Sequence, residues 1–325
     1  MKDANKTYGA YTYMVTFEQA LTENSISKLM LVSKSDIHTH GGKGGRIKYY
    51  SSWVNKSITA SEKPFDDLDD LQNWFNSNIK IYDNGKVGYL KRVEAAFAQA
   101  KDDHIAVLAS SFSMDVIDLL GGIEKFIDTI NFLKKSYAPE TEYYPELSFG
   151  RDCDVNKTCD RLDEIFEKNW FQSIDVCGNE LAQPIKKFQR IYRKAQRYGV
   201  KLKAHVGEFG TAEDVREAVE LLELSEVHHG IAAVKSKDVM RWLSKHKIQL
   251  NICPTSNIML RRAPSYSEHP IKDLFENGIP VTINTDDLLI FDSSVSEEYL
   301  KLYTNNVFSI GELEIIRQTG LESYK

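Results

Sequence analysis

Val281-Thr282-Ile283-Asn284-Thr285-Asp286-Asp287 ends an apolar, β-prone run on two adjacent carboxylates, where an ordinary strand would finish with a turn. Three earlier stretches end in a similar way: Asp36-Ile37-His38-Thr39-His40, Ala204-His205-Val206-Gly207-Glu208 and Val227-His228-His229-Gly230. In a barrel of parallel strands, the carboxyl ends converge on one mouth. Histidines and an aspartate gathered there make a metal site with an open coordination position.

Working outward, apolar β-prone runs occur at 28–32, leading into the first histidine pair, and at 104–109, 143–149, 171–176, 200–205, 226–229, 248–253 and 280–284. Helical periodicity fills 88–101, 123–135, 183–198, 212–222 and 237–245. Strand then helix, repeated, implies a parallel sheet with right-handed crossovers. Eight units close into an α/β fold, a (β/α)8 TIM-type barrel, with extra helices near the N-terminus and after strand 1. No repeat, linker or low-complexity tract marks a second domain. The 325 residues exceed the soft one-domain prior of about 150, but such barrels take ~250 or more. The expected organisation is one domain over 1–325, with 1–28 as an N-terminal extension. The segment 43–85, in which 65–79 reads as helical, is a candidate lid insertion over the mouth.

Composition narrows the partners. Net charge is −6, the sequence pI is near 5.8, and the 41 basic residues form no long run, which argues against a nucleic-acid duplex and for a small-molecule ligand. Cys153, Cys159, Cys177 and Cys253 form no CxxC pair, and the N-terminal residues show no signal-peptide pattern, so a reducing cytoplasm is the expected compartment. No apolar run approaches the ~18 residues that cross a bilayer, and mean hydropathy is −0.39. Membrane insertion is not expected. Oligomeric state is not legible.

Strand alternation points His38 and His40 to the same face, where both imidazoles reach one cation. With His205 and Asp286, neutral imidazoles and a carboxylate suit zinc, one ion per chain, leaving a place for water whose pKa the metal lowers toward ~7. Glu208, three residues past His205, can face a substrate without ligating the metal and is a candidate general acid or base. His229 can accept a proton from bound water or stabilise hydroxide, and Asp287 can hydrogen-bond both water and substrate. Ser256 is a candidate partner for a metal ligand. His104, His228, His246 and His269 read as structural or surface residues, and Cys177 and Cys253 as buried thiols.

At this point the chain resembles the adenosine deaminase family of zinc-dependent amidohydrolases. The resemblance rests on His38-Thr39-His40, Asp175-Val176-Cys177-Gly178-Asn179-Glu180, His205-Val206-Gly207-Glu208, His229-Gly230, Cys253-Pro254-Thr255-Ser256-Asn257 and Thr285-Asp286-Asp287, in the family's order over roughly residues 30–290. It implies that His38, His40, His205 and Asp286 bind zinc, and that Glu208 protonates the purine nitrogen beside the reacting carbon. It further implies that His229 activates water, that Asp287 holds the nascent hydroxide and the imidazole-side nitrogen, and that the Gly178 amide meets the nitrogen on the opposite edge. The implied substrate is adenosine, deoxyadenosine or a related adenine nucleoside, with ammonia and an inosine-type product released. The other zinc-deaminase pattern, HxE followed by PCxxC, is absent.

Two departures stand out. Gly42 occupies the place where the family usually carries an acidic or amide residue for the ribose hydroxyl, inside Gly41-Gly42-Lys43-Gly44-Gly45-Arg46. Such a loop can cradle a phosphate between Lys43 and Arg46, which makes an adenine nucleotide, or another aminated heterocycle, the alternative substrate. Leu288 stands where proline is common. A binuclear hydrolase with a bridging lysine on the fourth strand is disfavoured, because 171–177 contains no lysine. A silent binding protein is disfavoured by the joint presence of Glu208, His229, Asp287 and the ligands.

Overall fold

The computed structural model describes residues 15–325 except 83–84. Among the described residues nine strands run β1 (Lys34–His40), β2 (Ile105–Ser113), β3 (Glu142–Tyr143), β4 (Glu146–Gly150), β5 (Ser173–Cys177), β6 (Lys201–Val206), β7 (Glu226–His229), β8 (Gln249–Ile252) and β9 (Val281–Ile283). Every pairing is parallel, in the order β1-β2-β4-β5-β6-β7-β8-β9. The short β3 pairs with β2 beside this path. The run expected at 143–149 is broken at Pro145, which has no N–H to give a ladder. The outcome is an eight-stranded TIM-type barrel wrapped in helices.

Closure falls on the segment quoted first. The Asp286 N–H donates to the His38 carbonyl at 2.9 Å, and the His40 N–H to the Asp286 carbonyl at 3.4 Å, giving a Thr39–Asp286 bridge. One step lower, Ile37 N–H donates to the Asn284 side-chain oxygen at 2.9 Å, so a side chain completes the seam where β9 has ended. A second opening lies between β5 and β6, which pair only at Ser173–Lys201 and Ile174–Leu202. There the Tyr192 hydroxyl accepts from Val176 N–H at 3.1 Å and donates to the Lys203 carbonyl at 2.6 Å.

Apolar strand residues such as Leu147, Ile174, Ala204 and Leu250 are buried with the surrounding helices in the main core. Burying that surface is the dominant favourable term in holding the barrel. The barrel interior is polar instead: Lys203 is buried, 3.0 Å from Glu146 and 3.4 Å from Glu226. Charges buried this way persist because each has a partner.

The described part of the expected extension, 15–28, includes the helix Phe17–Thr22, whose Phe17, Ala20 and Leu21 are buried in the main core; 1–14 lie outside the described residues. After β1 come the helices Ile47–Val54 and Leu68–Phe75, the latter continuing into a π-turn at Asn76–Lys80. Ile47, Tyr50, Phe65, Leu71, Phe75 and Ile79 form a second cluster against Leu289, Ile290 and Phe291. This segment walls one side of the barrel mouth; of the range expected as a lid, 83–84 lie outside the described residues. Among the described residues, no helix is long and apolar enough to cross a membrane.

Candidate active site

His38, His40, His205 and Asp286 stand at the strand ends with one ligand atom each, all within 4.8 Å of one another. His38 Nε2 is 3.0 Å from His205 Nε2, and His40 Nε2 is 3.1 Å from Asp286 Oδ1. Asp286 adopts φ +58° and His229 φ +63°, left-handed conformations in side chains other than glycine. Such strain persists where surrounding structure enforces it, and clusters at functional sites.

Each of these four side chains is aimed by a partner behind it. His38 Nδ1 lies 2.8 Å from the Asn251 carbonyl, His205 Nδ1 2.9 Å from Asp175 Oδ2, and His40 Nδ1 2.8 Å from Ser111 Oγ; Ser256 Oγ donates to Asp286 Oδ2 at 2.7 Å. With the hydrogens of His38 and His205 placed on Nδ1 toward these oxygens, the two Nε2 lone pairs face each other across 3.0 Å. Facing lone pairs repel unless they share a cation, so the donor set fits a metal, and imidazole with carboxylate fits zinc. Burial, with His228, His229 and His205 close by, holds His38 well below the ordinary histidine range. Burial also opposes charge on His40, but Asp287 and Asp286 overcome it and hold that ring up at about 9.

Glu208 lies over the same floor. Its Oε2 is 3.6 Å from His229 Nε2, and its Oε1 is buried with no hydrogen-bond partner among the described residues. Burial, reinforced by Asp286, Glu180 and Asp287, pushes this carboxyl well above the usual carboxylate range. Its environment therefore favours the protonated form more than that of an ordinary carboxylate does. Glu180 fixes the loop beneath: its carboxylate accepts from Gly207 N–H at 2.7 Å and from the amides of Phe209 and Gly210.

His229 is fixed from behind by a chain of donors. Ile271 N–H donates to His269 Nδ1 at 3.1 Å, His269 Nε2 faces Asn257 Oδ1 at 3.3 Å, and Asn257 Nδ2 faces His229 Nδ1 at 3.1 Å. Followed through, the chain leaves the Nε2 hydrogen of neutral His229 toward the site. Burial lowers His229 and His269 each to about 3, so both rings are neutral.

A cavity of about 2200 Å³, counting its open mouth, contains His40, Lys43, Gly178, His205, Glu208, His229, Asp286 and Asp287 in its lining. Gly178 has φ +83°, a conformation that suits glycine, and presents no Cβ to the cavity. Lys43 Nζ donates to Asp287 Oδ2 at 2.7 Å. Arg46 departs from the expectation of a paired phosphate cradle: its guanidinium bonds Glu297, lies 3.5 Å from Asp292, and is absent from the cavity lining. The loop glycines serve close packing. A Cβ on Gly45 would sit 2.6 Å from Ala95, and one on Gly42 would sit 2.7 Å from Tyr89.

Sequence reasoning supplied no role for Asp175, Ser111, Asn251, Glu180 or His269. Asp175 and Glu180 were visible in the Asp175–Glu180 motif, but nothing in the spacing says that one meets an imidazole and the other three amides. His269 carried no signal, since its partner Asn257 is brought to it only by the helix Pro254–Met259.

The adenosine deaminase family profile matches residues 149–324, just over half of the chain. The chain belongs to the adenosine deaminase family. It is accordingly a hydrolase acting on the C–N bond of an aminated purine ring. A relative from Treponema pallidum (strain Nichols), provisionally named an adenosine/adenine deaminase, is 29% identical over 82% of this chain and 89% of its own. Among solved structures, an amidohydrolase from Burkholderia ambifaria with bound Zn has TM-score 0.77 at 20% identity, covering 92% of this chain and 87% of that one. An N6-mAMP deaminase from Arabidopsis has TM-score 0.76 at 16% identity, covering 91% and 94%. At these identities the two structures speak for the shared fold alone.

Proposed function

We propose that this chain catalyses the zinc-assisted hydrolytic deamination of an adenine nucleoside or nucleotide, releasing ammonia and an inosine-type product. The observation that carries this reading is Glu208: a buried carboxyl, its pKa pushed up by burial, whose Oε1 has no partner among the described residues, lining the same cavity as the three-histidine, one-aspartate cluster. His38, His40, His205 and Asp286 would hold one zinc, which supplies the Lewis acidity that makes water nucleophilic near neutral pH.

This chain's own groups do the rest. Glu208 gives its proton to the ring nitrogen beside the amine-bearing carbon, making that carbon electrophilic. Water oxygen bonds to the carbon, and the proton it sheds restores Glu208. The amino group takes up that proton and leaves as ammonia, the ring nitrogen keeps the first, and the remaining hydroxyl proton passes to Glu208 as the C=O bond forms, regenerating the acid. His229, with its Nε2 hydrogen toward the site, is suited to stabilising negative charge on the entering oxygen rather than removing its proton. Asp287, held by Lys43, accepts hydrogen bonds from water and substrate. Gly178 lets the ring edge approach the backbone.

The relatives' names span a base, a nucleoside and a nucleotide, so sugar and phosphate are variables of the test. Ammonia release by the zinc-loaded protein is measured with adenine, adenosine, deoxyadenosine, their monophosphates and N6-methylated analogues. Turnover of at least one, lost in Glu208→Gln, is expected; no ammonia from any overturns the reading. Four free cysteines are in keeping with work in a reducing cytoplasm.

A further inference from the structure

Past Asp286 and Asp287 the chain runs through the short helix Leu288–Phe291 and Ser293 into the helix Val295–Thr304, whose first turn carries two adjacent glutamates. Their duties differ. Glu297 caps the helix, accepting from Ser294 N–H at 2.8 Å, and pairs with Arg46. Glu298, one step round the helix, faces inward and is 1% exposed; its carboxylate accepts from Thr255 N–H at 3.1 Å and from the hydroxyls of Thr255 and Ser293. Lys301 Nζ, one turn on, donates to the same two hydroxyls, at 2.8 Å to Ser293 Oγ and 3.4 Å to Thr255 Oγ1. A buried carboxylate is costly unless its oxygens are satisfied, and here three donors from two loops meet it.

Those two loops leave strands that end in the site. Thr255, Ser256 and Asn257, just past β8, lie consecutively in the helix Pro254–Met259 and point three ways. Thr255 turns back to Glu298, Ser256 Oγ donates to Asp286 Oδ2 at 2.7 Å, and Asn257 Nδ2 faces His229 Nδ1 at 3.1 Å. Ser293 stands on the chain that leaves β9 after Asp287. Glu298 thus ties the turn that carries Ser256 and Asn257 to the continuation of the strand that carries Asp286. Hydrogen bonds weaken steeply with misalignment, so slack between the two loops is felt first at Ser256–Asp286 and Asn257–His229.

We propose that Glu298 is a positioning residue for the metal cluster and for His229: a clasp behind the site that sets Ser256 against Asp286 and Asn257 against His229 without touching either. The inference rests on the zinc-deaminase reading and adds a residue to it. The clasp needs an acceptor at both oxygens. An amide in their place turns its NH2 either on the Thr255 N–H or on two hydroxyls that already receive from Lys301, so Glu298→Gln keeps the volume of the side chain and breaks the clasp.

Zinc affinity, read by competition with a chelator, is measured for the wild type, Glu298→Gln, Ser256→Ala and the double variant, with Tm alongside and with kcat and KM for ammonia release from the best substrate of the panel above. Partners directly behind metal ligands are worth roughly 10–100-fold in affinity; Glu298 acts one bond further back, so Glu298→Gln should weaken zinc by about 3–10-fold, lower kcat about tenfold and leave KM within about twofold. Because it acts through Ser256, its effect on zinc should shrink to under about twofold in the Ser256→Ala background, the non-additivity of groups in one network. A merely structural Glu298 lowers Tm and leaves zinc affinity unchanged, or weakens zinc equally in both backgrounds. Either result overturns the clasp, and ammonia release by the wild type then leaves deamination standing. Coupling of Glu298 to Ser256 in zinc affinity, with no ammonia from any substrate, keeps the clasp and overturns the deaminase reading. Should Glu298→Gln fail to fold, Ser293→Ala, which takes one hydroxyl from the clasp, enters the same cycle under the same criteria.

Discussion

His205 points Nδ1 at the Asp175 carboxylate, 2.9 Å and 3.0 Å from its two oxygens, and so turns Nε2 toward His38 and the cluster centre. A carboxylate behind a ligating imidazole fixes its tautomer and raises its basicity, and losing such a partner costs roughly 10–100-fold in metal affinity. Asp175→Asn should therefore bind zinc about that much more weakly, read by competition with a chelator. Unchanged affinity in a folded variant would remove Asp175 from the site's design.

Glu208→Gln keeps the shape of the side chain and removes the acid. Its zinc content should match the wild type, while kcat/KM falls by roughly 10²–10⁴-fold, the usual contribution of a positioned proton donor. The active form is the protonated one, and the folded carboxyl titrates well above its usual range. The alkaline decline of wild-type turnover should therefore fall above the ordinary carboxylate range, as Glu208 loses its proton. A Glu208→Gln variant as active as the wild type would sink the assignment.

Much of this was readable beforehand, for reasons specific to particular residues. The ends of β1, β6, β7 and β9 announced themselves because parallel strands buried on both faces read as apolar runs, and a histidine or aspartate ending one is conspicuous. Ser256 was expected behind a ligand and donates to Asp286. Lys43 and Arg46, three residues apart, looked equivalent in sequence. The helix Ile47–Val54 begins directly after Arg46, whose guanidinium then meets Glu297 and Asp292, carboxylates about 250 positions away that no local pattern could supply. The partners of His229 escaped for the same reason: Asn257 and His269 act through contacts that only the fold creates.

The glycine loop offers a separate test of what glycine is for. If Gly45 serves packing, Gly45→Ala forces its new methyl to within 2.6 Å of Ala95 on the helix Lys86–Asp102, and overpacking of this kind costs about 1–3 kcal/mol. Thermal unfolding should show a lower Tm. A phosphate cradle would behave differently, leaving Tm unchanged and raising KM for a phosphorylated substrate.

His269 ties stability to pH. Burial depresses its folded pKa to about 3 from an ordinary 6.5, so between those values the unfolded chain binds a proton that the folded chain does not. Stability from this group is complete above pH 6.5 and is lost as pH falls toward 3, at up to about 1.4 kcal/mol per pH unit for one proton. In His269→Gln that proton is absent from both states, and an amide can still reach Asn257 Oδ1. Urea midpoints at pH 7.5, 5.5 and 4.5 should converge, with the variant losing less than the wild type on acidification. Parallel curves would mean that His269 is protonated equally in both states, and with that the neutral donor chain behind His229 would fall.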